Sequence, residues 1–304
     1  MTTESHIAAT AVRDYAKARG WTLVPEALKD RLYVMNHARY RPRQLVMAIN
    51  EDAPDYDRAI ELALSELGET EKRPPEQILV DVQNVGNDRI AFRLAAERFT
   101  ESSIPLSLAK KLLAATENLL RTSACAAVEP KSSYAKLNRN EAQDIASIAR
   151  FGHTQVGSFI INVACPVFAL DAQTEFAFAD PNKEPMVRST TKAMYEGLHN
   201  LVQAIESDSI ESLSDAAPST TFVSRNLCEA LLEFADADLD NSLDVGFRWA
   251  SALPLPGNVL ESNVSFKREY FKYIDRVRSN LSPKSEAKSS DFICTVEKLS
   301  GKQG

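Results

Sequence analysis

Glycine is scarce in this chain and never closely spaced, and that excludes whole classes of fold. Ten glycines occur in 304 residues, and no two stand two positions apart. Average usage would place roughly 20 in a chain of this length. Dinucleotide-binding βαβ units and the kinase ATP loop require G-x-G, because their backbone must approach phosphate without a Cβ. The esterase elbow G-x-S-x-G is absent as well.

At about 150 residues per domain, the length suggests two domains. With 35 Lys+Arg against 42 Asp+Glu, the formal charge is −7. That disfavours a general nucleic-acid coat and leaves room for local basic patches. No apolar run approaches a membrane span, and the first residues lack an apolar signal core. Cys125, Cys165, Cys228 and Cys294 are separated by 40, 63 and 66 positions, so no C-x-x-C pair exists. A zinc ribbon needs such pairs. Reduced thiols in or near cores, in a cytoplasmic protein without a structural metal, are the expectation.

Apolar spacing predicts a helix over 7–18 closed by Gly20, then β-like runs at Leu32–Asn36 and Gln44–Ile49. A helix follows over Asp55–Leu67, ended by Gly68. Ile78–Val82 and Arg89–Leu94 read as strands around the turn cluster at 84–88. A long helix after Pro105 ends near Pro130. The polar segment Lys131–Asn140 is the expected boundary between a first subdomain, 1–137, and a second, 138–304. In the second half, helices are expected at Glu141–Arg150, from Pro185 to Ile205, at Val223–Phe234 and at Ser265–Leu281. Strands are expected at Ser158–Leu170, at Glu175–Phe178 as its hairpin partner, and at Asp244–Ala250. A polar linker, 282–290, then leads to a terminal strand, 291–299, which needs a neighbour to satisfy its backbone. The predicted class is α+β, with two subdomains that each carry a small, mostly antiparallel sheet flanked by helices.

Gly152 and Gly157 stand five apart, but Ser158 occupies the lysine position of a phosphate loop, and the helix precedes the strand rather than following it. They read as a helix cap and a turn leading into a strand. His153 between them is the one catalytic candidate, on a short polar connector. Glu196 and His199 form a single E-x-x-H. Glu196 lies opposite the apolar stripe and His199 on its flank, so they read as a solvated pair. Asp236, Asp238 and Asp240 fit the first ligand positions of a calcium loop, but Phe247 stands where the bidentate Glu belongs.

Arg39, Arg41 and Arg43 alternate with Tyr40 and Pro42. Arginine forks bind phosphate, and an aromatic between them can stack on a base. The acidic stretch after Asn50 offers neutralising partners. Arg268, Lys272 and Arg276 form a basic ridge at i, i+4, i+8, opposite an aromatic face. No cofactor site emerges.

A non-enzymatic binding or assembly protein is the leading reading, with a protein partner or a second copy of the chain. The alternatives are a hydrolase-like enzyme with a dispersed site around His153, and a nucleic-acid-contacting accessory protein using Arg39, Arg41 and Arg43. Templates detect local motifs only; a site assembled from distant strands escapes them.

Overall fold

The computed structural model describes residues 7–95, 104–152, 159–170, 184–235, 241–253, 255 and 261–281. The architecture is α+β, built on two antiparallel sheets of three and five strands.

The chain opens with α1 (Ala9–Ala18), and Gly20 turns it at φ +87°, a left-handed conformation that glycine adopts without a Cβ clash. There follow β1 (Thr22–Leu23), β2 (Leu32–Asn36) and β3 (Gln44–Ala48), paired in that order. Short 3₁₀ turns at Pro25–Asp30 and Ala38–Tyr40 link them. Alternation sends Tyr33, Met35, Leu45 and Met47 inward, where α1 supplies Val12, Tyr15 and Ala16. The same core takes Ile60, Leu64 and Leu67 from α2 (Tyr56–Glu71) and Ile78 and Val82 from α3 (Pro75–Gln83).

The strand expected at Ile78–Val82 is therefore a helix. Ile78 and Val82, four apart, are buried, while Val80 between them is exposed, and Pro75 starts the helix at a position that tolerates proline. Short apolar runs do not discriminate strand from helix by themselves. Gly68 does not end α2, which runs on to Glu71. A Cβ at Gly68 would lie 2.8 Å from the Arg73 carbonyl oxygen, so its role is close approach.

The second sheet is built on β4 (Asn87–Ala95), which pairs with strands far along the chain. After β4 come α4 (Leu106–Val128), α5 (Asn140–Ile148), β5 (Arg150–Phe151) and β6 (Phe159–Pro166). Next are α6 (Met186–Glu206), the single turns α7 (Ser212–Asp215) and α8 (Pro218–Thr221), and α9 (Arg225–Leu232). The last described elements are β7 (Ser242–Arg248), β8 (Glu261–Phe266) and α10 (Tyr270–Asn280). The strand order is β5-β6-β4-β7-β8. Ile90, Phe92 and Leu94 of β4 face a helical layer of α4, α5, α6, α9 and α10 in one hydrophobic core.

The two hydrophobic cores divide at the α3–β4 turn, since one ends with Val82 and the other begins with Ile90. That division does not coincide with 137/138. The polar segment at 131–140 is held down: Asn226 accepts from the Tyr134 amide at 2.8 Å and donates to its carbonyl at 3.1 Å, and the Arg225 amide donates to the Ser132 carbonyl at 2.7 Å. Polar composition does not distinguish a linker from a loop whose backbone is paired.

Two further element boundaries differ from the expectation. Residues 261–266 form β8, with Val264 and Phe266 buried, and the helix expected from Ser265 begins at Tyr270. The i, i+4 spacing of Phe266 and Tyr270 suits a helix, yet here it bridges a strand and the next element. Likewise α5 stops at Ile148, and Arg150–Phe151 pairs with β6, so Gly152 follows a strand and does not cap a helix. The candidate strands at Glu175–Phe178 and 291–299, and the linker 282–290, lie outside the described residues. Among the described residues no helix is long and apolar enough to cross a membrane.

Candidate functional site

The helical layer covers one face of the five-stranded sheet. A solvated second face is common in antiparallel sheets, but such faces usually carry long polar side chains. Here the register aligns Asn162, Ala91, Gly246 and Asn263 in a single cross-strand row, a floor of short side chains. The adjacent row runs Arg150, Ala164, Arg89, Arg248 and Glu261. Val80 of α3 and Asn84 at its C-terminal cap wall this floor to enclose a groove of about 740 Å³. A second cleft of about 660 Å³, lined by Arg19, Trp21, Tyr40 and Arg73, shares Arg248 and Glu261 with it.

Arg89 and Arg248 stand directly opposite each other across β4 and β7. Like charges in that relation repel. Asp81 of α3 is the relief: its carboxylate accepts from Arg73 at 2.7 Å and Arg89 at 2.9 Å, with Arg248 at 4.0 Å. Burial works to raise the Asp81 carboxyl, but the hydrogen bonds from Arg73 and Arg89 outweigh it and hold the group below its ordinary value. Arg248 also reaches Glu261 at 3.6 Å, and Arg19 reaches Glu71 at 3.4 Å. Four arginines thus face three carboxylates. Arg93 and Arg150 on the same sheet face, against Asp244, raise this to six against four. The chain as a whole is acidic, so this is a local reversal of sign.

The crevice between α4 and α9, about 480 Å³, contrasts with it. Its Lys110 and Lys111 are matched by Glu229 and Glu233, and Lys111 pairs with Glu233 at 3.6 Å. It offers no charge to a ligand.

The arginine-rich segment lies beside the second cleft. Arg39, Arg41 and Arg43 are exposed, and Arg39 sits over the Tyr40 ring at 5.8 Å. Tyr40 lines the cleft with Trp21, whose ring centroid is 6.3 Å away, and His37 at 4.6 Å completes the cluster. Arg43 is neutralised by Glu66 and Glu69 of α2, both at 2.8 Å, and not by the acids nearer in sequence.

Arg268, Lys272 and Arg276 are exposed around the start and along the length of α10, whose Tyr270, Ile274 and Val277 are buried in the helix-covered core. The ridge therefore points away from the sheet on its helical side, and the fold does not bring it together with Tyr40. Arg276 pairs with Glu211 at 2.6 Å.

His153 and the aspartates Asp236, Asp238 and Asp240 lie outside the described residues. Among the described residues, no group of three His, Cys, Asp or Glu side chains could hold a metal. Cys125, Cys165 and Cys228 are buried, and burial pushes the Cys165 and Cys228 thiols up to about 12. Such thiols are poor nucleophiles. His199 stacks on Tyr195 at 5.6 Å, on the flank of α6.

Sequence reasoning missed Arg89, Arg248, Asn162, Asn263 and Gly246. Their strands carry alternation, which marks these positions as outward-facing, but nothing in the spacing joins residues 89, 162, 248 and 263 into one row. Comparison with family models, with curated proteins and with solved structures finds no match.

Proposed function

We propose that this chain is a non-enzymatic binding protein that takes an anionic ligand in the groove between α3 and the open face of the five-stranded sheet. The observation that carries the reading is the opposition of Arg89 and Arg248 across two central strands, relieved chiefly by Asp81. Such a row costs stability that a hydrophobic or mixed-charge row would not. An anion bridging the two guanidinia removes that cost, and arginine forks suit phosphate or sulfate oxygens. The short floor leaves room for the ligand.

The test is binding of polyanions to the full chain as salt is varied. Heparin or an oligonucleotide binds at about 20 mM salt, and affinity falls steeply as salt rises, as counterion release requires. Arg248→Ala, at a side chain 56% exposed, weakens binding without altering the circular dichroism. Absence of polyanion binding at low salt, or undiminished binding by the variant, overturns the reading.

A further inference from the structure

We infer that the anionic ligand is a single-stranded nucleic acid, lying over the Asn162–Asn263 row with its backbone along Arg89 and Arg248; this rests on the reading above. Three features select it among polyanions.

The first is hydrogen-bonding chemistry. The floor presents the Asn263 amide, and an amide offers both donor and acceptor. Base edges carry both as well, whereas a sulfated polymer or phosphate headgroup supplies mainly acceptors. Asn263 makes no side-chain hydrogen bond to a described residue; its amide oxygen lies over Gly246, 3.6 Å from where a Cβ would stand.

The second is shape. A duplex is read by elements that protrude into its grooves. This site is recessed, floored by Ala91 and Gly246 and walled by α3, so nothing projects into a duplex. Unpaired bases can be splayed into such a recess.

The third is continuity. The groove opens past Arg248 into the cleft that holds Tyr40, stacked on Trp21 and with the His37 ring tilted against it. A strand leaving the floor meets an aromatic there, and base stacking tolerates any sequence. Arg39 and Arg41 lie beyond it, where further phosphates would pass.

The experiment measures fluorescence anisotropy of a labelled 12-nucleotide single strand, as RNA and as DNA, with the matched duplex and heparin as competitors. The single strand binds about tenfold tighter than the duplex at equal salt. Asn263→Ala, at an exposed position, weakens the single strand roughly five- to tenfold and leaves heparin unchanged, because only the base-edge contact is lost. Gly246→Tyr, whose Cβ meets only ordinary contacts, fills the floor and gives the same pattern by a second route. Arg248→Ala weakens every polyanion and flattens the single-strand salt slope by about 0.7. Changing Arg268, Lys272 and Arg276 together to Glu leaves binding intact, since they lie on the other side of the sheet. If the duplex binds as well as the single strand, or Asn263→Ala and Gly246→Tyr reduce heparin and single strand equally, the nucleic-acid inference fails and the anion-binding reading stands. If no polyanion binds, both fail.

Discussion

Asp88 and Arg188, a hundred residues apart in sequence, form an ion pair in which each side chain is only 1% exposed. Two guanidinium nitrogens reach the two carboxylate oxygens at 2.9 and 2.7 Å. Asp88 also accepts from the Thr191 hydroxyl at 2.6 Å and the Ala250 amide at 2.8 Å. Arg188 donates onward to the Leu253 and Ala250 carbonyls and lies over the Trp249 ring at 5.5 Å. The pair therefore ties the start of β4 to α6 and to the segment that follows β7. With its hydrogen-bonding capacity engaged within the fold, it has a structural part, not a ligand-binding one.

Removing one partner strands the other in the core, which typically costs about 3–5 kcal/mol. Asp88→Ala orphans Arg188 and the Ala250 amide together. Arg188→Met leaves Asp88 two donors, and its thioether chain still packs on Trp249. Asp88→Ala is accordingly the more damaging change, by about 1–3 kcal/mol. Urea unfolding of the two variants checks the order; equal midpoints would show that the Ala250 amide is satisfied in another way.

Asp81 competes with the ligand for the same arginines. Asp81→Asn raises polyanion affinity several-fold while lowering stability by about 1–3 kcal/mol, the scale of hydrogen bonds to charged groups. The pH dependence has a definite sign. The native carboxyl titrates below its ordinary value of 3.8, so the unfolded chain takes up this proton more readily than the folded one. The stabilisation is complete above that ordinary value and is lost as pH falls through the native one. The stability gap between wild type and Asp81→Asn is therefore flat near neutrality and shrinks in acid. Denaturant midpoints across pH 3–7 test this, and a gap that widens in acid would contradict it.

Gly197 sets the approach of α6 to the turn after α8. A Cβ there would stand 2.8 Å from the Phe222 carbonyl oxygen, and Phe222 is itself held at φ +52°. Gly197→Ala forces the backbones apart and costs about 1–3 kcal/mol, as overpacking does. A thermal melt reads the loss. An unchanged melting temperature would mean that the turn gives way freely.

The buried thiols are silent in the native state. With burial pushing the Cys165 and Cys228 thiols up to about 12, both stay protonated at pH 8. Iodoacetamide leaves both, and Cys125, unmodified until denaturant is added. Peptide mass mapping before and after denaturation checks this; native labelling of Cys165 or Cys228 would show that the core opens locally.

Much of the secondary structure is written in local pattern. The stripe of Val187, Thr191, Met194, Leu198 and Leu201 specifies α6 and its buried face, and alternation specifies β2, β3, β4 and β7, because periodicity in a single element needs no partner. The absence of G-x-G from the chain was likewise legible without coordinates. Partnership was not. Alternation in β4 shows which side chains point outward, but its pairing with β6 and β7 depends on chain closure across some 70 and 150 residues. The sheet row follows from that pairing: Ala91 and Gly246 become a floor, Arg89 and Arg248 become neighbours, and Asp81, on a helix of the first core, becomes their counter-ion. The local sequence determined what each residue contributes to its own strand or helix. Tertiary structure decided which charges oppose each other, because the distances that govern electrostatics are set by the pairing of segments and not by their separation along the chain.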